Sequence, residues 1–286
     1  MLGPYCESES SAPIVRQLGL RGLELWREFD PALQVRGTLV LAPHRDETEL
    51  RRYARMTTGH HFVDEAGIRH LEPSLADRFQ HGLYFADEAH IAPRHAMGQL
   101  IGALLTLGVD LRYSSPVTEP IWLAAAAGGI AIDCRGLAAR SDKIPLRGVR
   151  GEMAVVSESG LNLSRPIRLL HPRFPVYIVP WGSDVYMIGA TMIESDSVAG
   201  GSVRSALELM GATCAVHPAF LGARVTEYSV GVRPAFDDNI PKIAVHGKCI
   251  SVNGAYRHGF LLAPVLAEIV ADHLEYGQAV PPELCS

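Results

Sequence analysis

Apolar residues recur along this chain at two spacings, one helical and one extended. Met97, Leu100, Ile101, Leu104 and Leu105 fall at helical offsets, and Gly108 follows where a glycine C-cap belongs. Ile14, Leu18, Leu25, Trp26 and Phe29 predict another helix, interrupted by Gly19 and Gly22. Ser202 is the expected N-cap of a helix carrying Val203, Leu207 and Met210. The last helix is expected to hold Pro264 in its first turn, with Leu266, Ile269, Val270 and Leu274 inward.

Between these helices lie runs rich in β-branched and apolar residues: 35–42 (VRGTLVLA), 129–134 (GIAIDC), 151–156 (GEMAVV), 176–180 (VYIVP), 185–191 (VYMIGAT) and 248–252 (KCISV). Only Trp181, Gly182, Ser183 and Asp184 separate the fourth from the fifth, which predicts a β-hairpin and hence an antiparallel sheet. The runs 129–134 and 248–252 each enter a glycine-containing turn, as parallel strands do where they end at a ligand crevice. The class is mixed α/β (α+β), with a nucleotide-binding and an antiparallel architecture interleaved and no Pro/Ser-rich linker between them.

Composition narrows the function. The chain has 286 residues, 48% hydrophobic and 20% charged, which argues against disorder. A net charge of -5 gives no basic field for a phosphate backbone, so nucleic acid is not expected as a partner. The apolar run from Ile121 to Ile132 is cut by Gly128 and Gly129 and falls short of a bilayer span; neither a membrane helix nor a secretory signal is read. Five scattered cysteines with no C-x-x-C pair read as the reduced thiols of a cytoplasmic protein.

The candidate chemistry centres on arginine. Arg233 lies between Gly231 and Pro234, which fix the local backbone, and a guanidinium held that way suits a carboxylate; a surface arginine beside a proline turn is the alternative. Arg257 runs directly into the apolar segment Phe260-Leu261-Leu262, and a buried arginine needs an anionic partner. Tyr177 has a phenol that must find a partner if buried, although a core tyrosine explains it as well. Adjacent His60 and His61 would face opposite ways on an extended chain, with no acidic or cysteine cluster nearby, so no metal site is expected. No G-x-S-x-G occurs, and His90, His95 and His258 have no nucleophile-acid arrangement near them in the sequence. Asp237 and Asp238 read as a turn pair.

Taken together, VRGEM (149–153), VYIVPW (176–181), MIGATM (187–192), VGVRPAFDDNIP (230–241) and NGAYRHGFLLAP (253–264) resemble, in order and spacing, the FAD-dependent glycine oxidases of thiamine biosynthesis, the ThiO type, within the D-amino-acid oxidase family. The resemblance runs from MLGPYCESE at the start to the last helix. It implies a Rossmann-like FAD-binding domain (residues 1–30, 90–150 and 220–286) interleaved with an antiparallel-sheet substrate domain (residues 31–89 and 151–219).

The same resemblance implies roles. Arg233 would grip the substrate carboxylate with help from Tyr177, while Arg257 would lie at the isoalloxazine and the substrate and Met192 would line a small pocket. The segment Ala255, Tyr256, Arg257, His258, Gly259, Phe260 and Leu261 would turn beneath the flavin, with Met1 and Leu2 close by and Val117 near the adenine end. The implied reaction is oxidation of glycine or another small amino acid by hydride transfer to the flavin, giving an imine that becomes glyoxylate or enters thiazole formation. Molecular oxygen would take up the electrons as peroxide, and no side chain need act as general base. Thiazole synthase is an implied partner and a homo-oligomer an implied assembly.

One departure stands out. A family member begins with a strand, a G-x-G-x-x-G turn, a helix and a second strand; no such turn occurs in this sequence, and Met1 aligns with an internal methionine. The expectation is that a βαβ element of roughly 30 residues or more is missing, through a late start or fragmentation. The alternatives are a truncated, non-catalytic paralogue unable to hold FAD, or a different flavin oxidase or dehydrogenase of D-amino acids or sarcosine.

Overall fold

The computed structural model describes residues 1–30, 32–141, 144–171 and 174–285, with the backbone alone at 119–121. Its helices are α1 (Pro13–Phe29), α2 (Glu47–Met56), α3 (Glu65–Leu71), α4 (Pro93–Thr106), α5 (Glu119–Gly128), α6 (Val203–Val216) and α7 (Gly259–Tyr276). Its strands are β1 (Thr38–Leu41), β2 (His61–Asp64), β3 (His81–Phe85), β4 (Ala131–Asp133), β5 (Arg147–Ser157), β6 (Ile167–Leu169), β7 (Val176–Gly182), β8 (Val185–Gly189), β9 (Ile193–Glu194), β10 (Arg224–Ala235), β11 (Lys242–His246) and β12 (Cys249–Asn253). All six predicted strands are present; β2, β3, β6, β9, β10 and β11 were not marked by the apolar runs.

Among the described residues the strands form two sheets. The larger follows the order β10-β5-β8-β7-β6-β1-β3-β2, with β9 beside β5. All its pairs are antiparallel except β1 with β6. The predicted hairpin is β7 with β8, closing at Gly182 opposite Val185. Leu39, Leu41, Ile167, Leu169, Ile178 and Ile188 are fully buried on this sheet, packed with Leu209, Ala212 and Val216 of α6. Ser202 caps α6 as expected, its hydroxyl accepting the Ser205 amide at 3.1 Å. The apolar stripe that meets the sheet is nevertheless Leu209-Ala212-Val216, while Val203 and Leu207 face solvent. This helix has apolar residues on both sides, and spacing cannot choose between them.

The smaller sheet is β11-β12-β4, with β12 and β4 parallel as predicted and Ile250 opposite Ile132. One face packs on α1 and α7, where Ile250 joins Leu18, Leu23, Leu262, Val265 and Leu266. Gly19 and Gly22 are the contact face of α1 rather than interruptions of it: a Cβ on Gly22 would overlap the Leu261 carbonyl. Glycine costs helix propensity there but allows the backbones to approach closely. Pro264 does not sit in the first turn of α7, as the sequence reading placed it, but inside the helix. Proline has no N–H for the carbonyl four residues earlier, that of Phe260, and Trp26 of α1 supplies the replacement, its indole N–H donating to the Phe260 oxygen at 2.6 Å.

α4 is helical as predicted and is followed by Gly108 at φ +76, yet its apolar stripe is largely uncovered, with Met97 and Leu105 half-exposed. Among the described residues β4 pairs on one side only, and Ile132 is 48% exposed. No helix among the described residues is long and apolar enough to cross a membrane.

Candidate active site

Four pieces of chain meet where the large sheet adjoins the start of α7. β10 carries Arg233 and β7 carries Tyr177; the segment after β8 carries Thr191 and Met192. β12 leads through Gly254 into a tight 3-10 turn, Tyr256–His258, with Tyr256 at φ +52, a conformation non-glycine residues adopt only under constraint. That constraint places Arg257 and His258 at the mouth of α7. Opposite them, the 3-10 turn Cys6–Glu9 contributes Glu7.

Glu7 is the hub of the contacts. Its carboxylate forms a short ion pair with the Arg257 guanidinium, lies 3.6 Å from His258 Nδ1 and receives the Tyr177 hydroxyl at 3.4 Å. Arg257 also donates to Ser10 Oγ at 2.8 Å, and its Nη1 reaches the Met192 sulfur at 3.4 Å, beside the Tyr256 hydroxyl at 3.3 Å. His258 Nε2 lies 3.2 Å from Ser11 Oγ. Burial alone would raise the Glu7 carboxyl; Arg257, His258 and Arg168 outweigh it and hold the group below the usual carboxylate value. Burial lowers His258, which favours the neutral ring, and pushes Tyr177 well up, so its phenol stays protonated. Burial would also lower Arg257, but Glu7 and Tyr177 overcome it and raise the guanidinium.

A second ion pair stands behind the first. Arg168 of β6 donates to Glu9 at 2.5 Å and to the Tyr53 hydroxyl at 2.9 Å, and its guanidinium lies over the rings of Tyr53 and Tyr177, 4.7 and 5.0 Å from their centroids. Two buried arginines therefore have carboxylate partners. Arg233 has none among the described residues: its Nη1 donates to the Thr191 carbonyl at 3.1 Å, and the guanidinium lies against Gly151, where a Cβ would collide with it. Burial, reinforced by neighbouring Arg257, lowers its pKa.

Of the residues singled out in the sequence, Arg233, Arg257, Tyr177, Met192, Tyr256 and His258 share this neighbourhood, with Ala255 and Gly259 flanking the turn. Phe260 instead stacks on Trp26, and Leu261 packs into α1. Leu2 pairs its backbone with Ala89, and Met1 packs against the buried cluster that holds Cys6, Tyr53 and Leu83. Val117 is partly exposed, its carbonyl accepting from Arg135 at 3.0 Å, next to β4. The sequence reading missed Glu7, Glu9, Arg168 and Tyr53. The sequence carried a signal that an anion was needed, since a buried Arg257 demands one, but none that it would come from the two glutamates of Cys6–Glu9.

Glu88 marks the floor of the same region. Its fully buried carboxylate accepts the Cys6 amide at 2.7 Å, its other oxygen has no partner among the described residues, and burial pushes its pKa up to about 7.

The family model described as FAD dependent oxidoreductase (DAO) matches residues 1–273. The chain is similar to a Rhizobium etli protein named "Putative thiamine biosynthesis oxidoreductase ThiO", at 45% identity over 298 aligned residues, covering 100% of this chain and 86% of that protein. It is also similar to a glycine oxidase of Bacillus licheniformis, 24% identical over 71% of this chain and 59% of that one. Among solved structures, a glycine oxidase from Geobacillus kaustophilus superposes with a TM-score of 0.75 at 21% identity, covering 98% of this chain and 84% of the other. With its mixed fold, its arginine-rich site and a match spanning nearly its whole length, this chain belongs to the DAO family of FAD-dependent oxidoreductases.

Proposed function

We propose that the protein oxidatively deaminates glycine or a similarly small amino acid and that the product supplies thiazole formation in thiamine biosynthesis. The observation that carries the reading is Arg233: a largely buried guanidinium with only a backbone acceptor is built to receive a carboxylate from outside the chain. The likeness to the Rhizobium etli protein and to glycine oxidases supports the choice of substrate and pathway.

The ring side of the site suits FAD. The orphaned, buried Arg257 Nε is a donor in search of an acceptor, and the first amides of α7 have no intrahelical carbonyls to meet. Ala255, Tyr256, Arg257, His258 and Gly259 would hold the isoalloxazine, with Met1 and Leu2 contributing, and Val117 would serve the adenine end. For the pyrophosphate the sequence offers no G-x-G-x-x-G turn, so the fit is confined to these contacts. When bound, FAD supplies the two-electron acceptor for the amine. Arg233 fixes the substrate carboxylate, Met192 limits the room beyond Cα, and the chain's part in catalysis is positioning. The net change is amine to imine with oxygen reduced to peroxide; water converts the imine of glycine to glyoxylate and ammonia.

We also read residues 1–30, 90–150 and 220–286 as the cofactor side and 31–89 and 151–219 as the substrate side. β10 carries Arg233 from the former into the large sheet.

Arg233→Ala tests the reading. The apparent KM for glycine should rise roughly ten- to hundredfold, the equivalent of losing a charge-assisted hydrogen bond, while bound flavin is retained. Steady-state peroxide formation beside a flavin absorption spectrum measures both, and an unchanged KM would remove Arg233 from this role.

A further inference from the structure

Arg257 and Tyr177 are two further groups near Arg233 that can donate to a carboxylate, and both already face one, that of Glu7. The two guanidiniums contact consecutive residues of one segment: Arg233 donates to the Thr191 carbonyl at 3.1 Å and Arg257 touches the Met192 sulfur at 3.4 Å. Without Glu7, this would be a site with two cations side by side, suited to a ligand with two carboxylates. With Glu7 in place, one cation is cancelled from within. We infer that Glu7 is a specificity-determining residue, a built-in second carboxylate that occupies Arg257 and Tyr177 and restricts the pocket to amino acids with a single carboxylate, which Arg233 receives. This rests on the reading of Arg233 given above.

Other charges in the neighbourhood do not reproduce the effect. Glu9 is engaged by Arg168 and Arg52, at 2.5 and 2.8 Å. His258 is held towards its neutral form by burial and adds no cation. Glu7 sits on a 3-10 turn packed beneath the site and holds its place through Arg257, His258 and Tyr177, so its carboxylate is part of the frame. A dicarboxylate substrate would have to displace it, which costs an ion pair and leaves a buried charge unpaired.

The test measures binding rather than turnover. Acetate and malonate, as probes with one and two carboxylates, are titrated calorimetrically at constant ionic strength into the full chain equilibrated with FAD. In Glu7→Gln the ratio of malonate to acetate affinity should rise roughly tenfold or more over the starting protein, as expected for one newly available charge-assisted contact. Glu7→Gln with Arg257→Gln should return the ratio to its starting value. Should Glu7→Gln be too unstable to titrate, malonate should raise its Tm more than acetate does, and equal shifts would overturn the inference. An unchanged ratio in a folded Glu7→Gln protein overturns it as well. Arg233→Ala separates the two layers: loss of acetate affinity upholds the carboxylate clamp, whereas unchanged acetate affinity overturns the clamp and with it the role of Glu7.

Discussion

The two sheets of this protein are finished to different degrees. On the large sheet, Leu41, Ile167, Ile178 and Ile188 are wholly removed from water, and α6 closes over them. On the small sheet, β4 has one partner among the described residues, Ile132 is half-exposed, and the apolar stripe of α4 stands largely open. The site lies at the junction, and its two sides are held differently. Arg233 and Tyr177 project from strands with neighbours on both sides or a long ladder behind them. Arg257 and His258 depend on one constrained turn and on the seating of α7 against α1. The side that carries Arg233 and Tyr177 is thus held by the packing of the sheet, and the side that carries Arg257 and His258 by a few specific contacts.

Substitution should expose that difference most strongly in the cores. Ile188→Ala should cost about 2–5 kcal/mol in urea unfolding, whereas Ile132→Ala should stay within about 0.5 kcal/mol. Equal costs would break the comparison.

The junction is next, through Glu88. Burial pushes its folded pKa up to about 7, above the ordinary glutamate range. The carboxyl therefore contributes its stability in full below the unfolded value and loses it as the pH rises through about 7. Glu7, shifted down, behaves oppositely: its contribution is present above its unfolded pKa and is lost as pH falls through its folded value. In Glu88→Gln the amide oxygen can still accept the Cys6 N–H, and no charge must be buried. Relative to the starting protein it should gain up to about 3 kcal/mol at pH 8 compared with pH 5. Thermal unfolding at the two pH values checks this, and parallel shifts would show that Glu88 does not titrate in this window.

The smallest effect concerns how α7 is seated. Trp26→Phe keeps the stacking on Phe260 but leaves that carbonyl without its indole donor, at a cost of about 1–3 kcal/mol. Part of the loss should be recovered by adding Pro264→Ala, which restores an N–H to the same carbonyl. A double-mutant cycle in urea reads the coupling, and strictly additive costs would mean that Trp26 does not compensate for the proline.

Much of this was legible in the sequence. The helices around Leu18 and Leu100, the hairpin at 176–191 and the parallel-strand character of 129–134 and 248–252 follow from apolar spacing and turn residues, which are local properties; that these two strands pair with each other came from the fold. Arg257 could be marked as needing an anion because it runs into an apolar segment. Glu7 could not be named as that anion, because the two are 250 positions apart and only folding brings the first turn of the chain against the last helix.

By itself, then, the sequence determined the mixed α/β class, the helices α1 and α4, the β7–β8 hairpin and the resemblance to the family. The tertiary structure decided which apolar faces are covered, that Gly22 and Pro264 are parts of one helix contact, and that, among the described residues, Arg257 meets a carboxylate in the site and Arg233 does not. Those outcomes depend on distances between residues far apart in the chain. Spacing determines what a segment can become, but only packing determines what it meets.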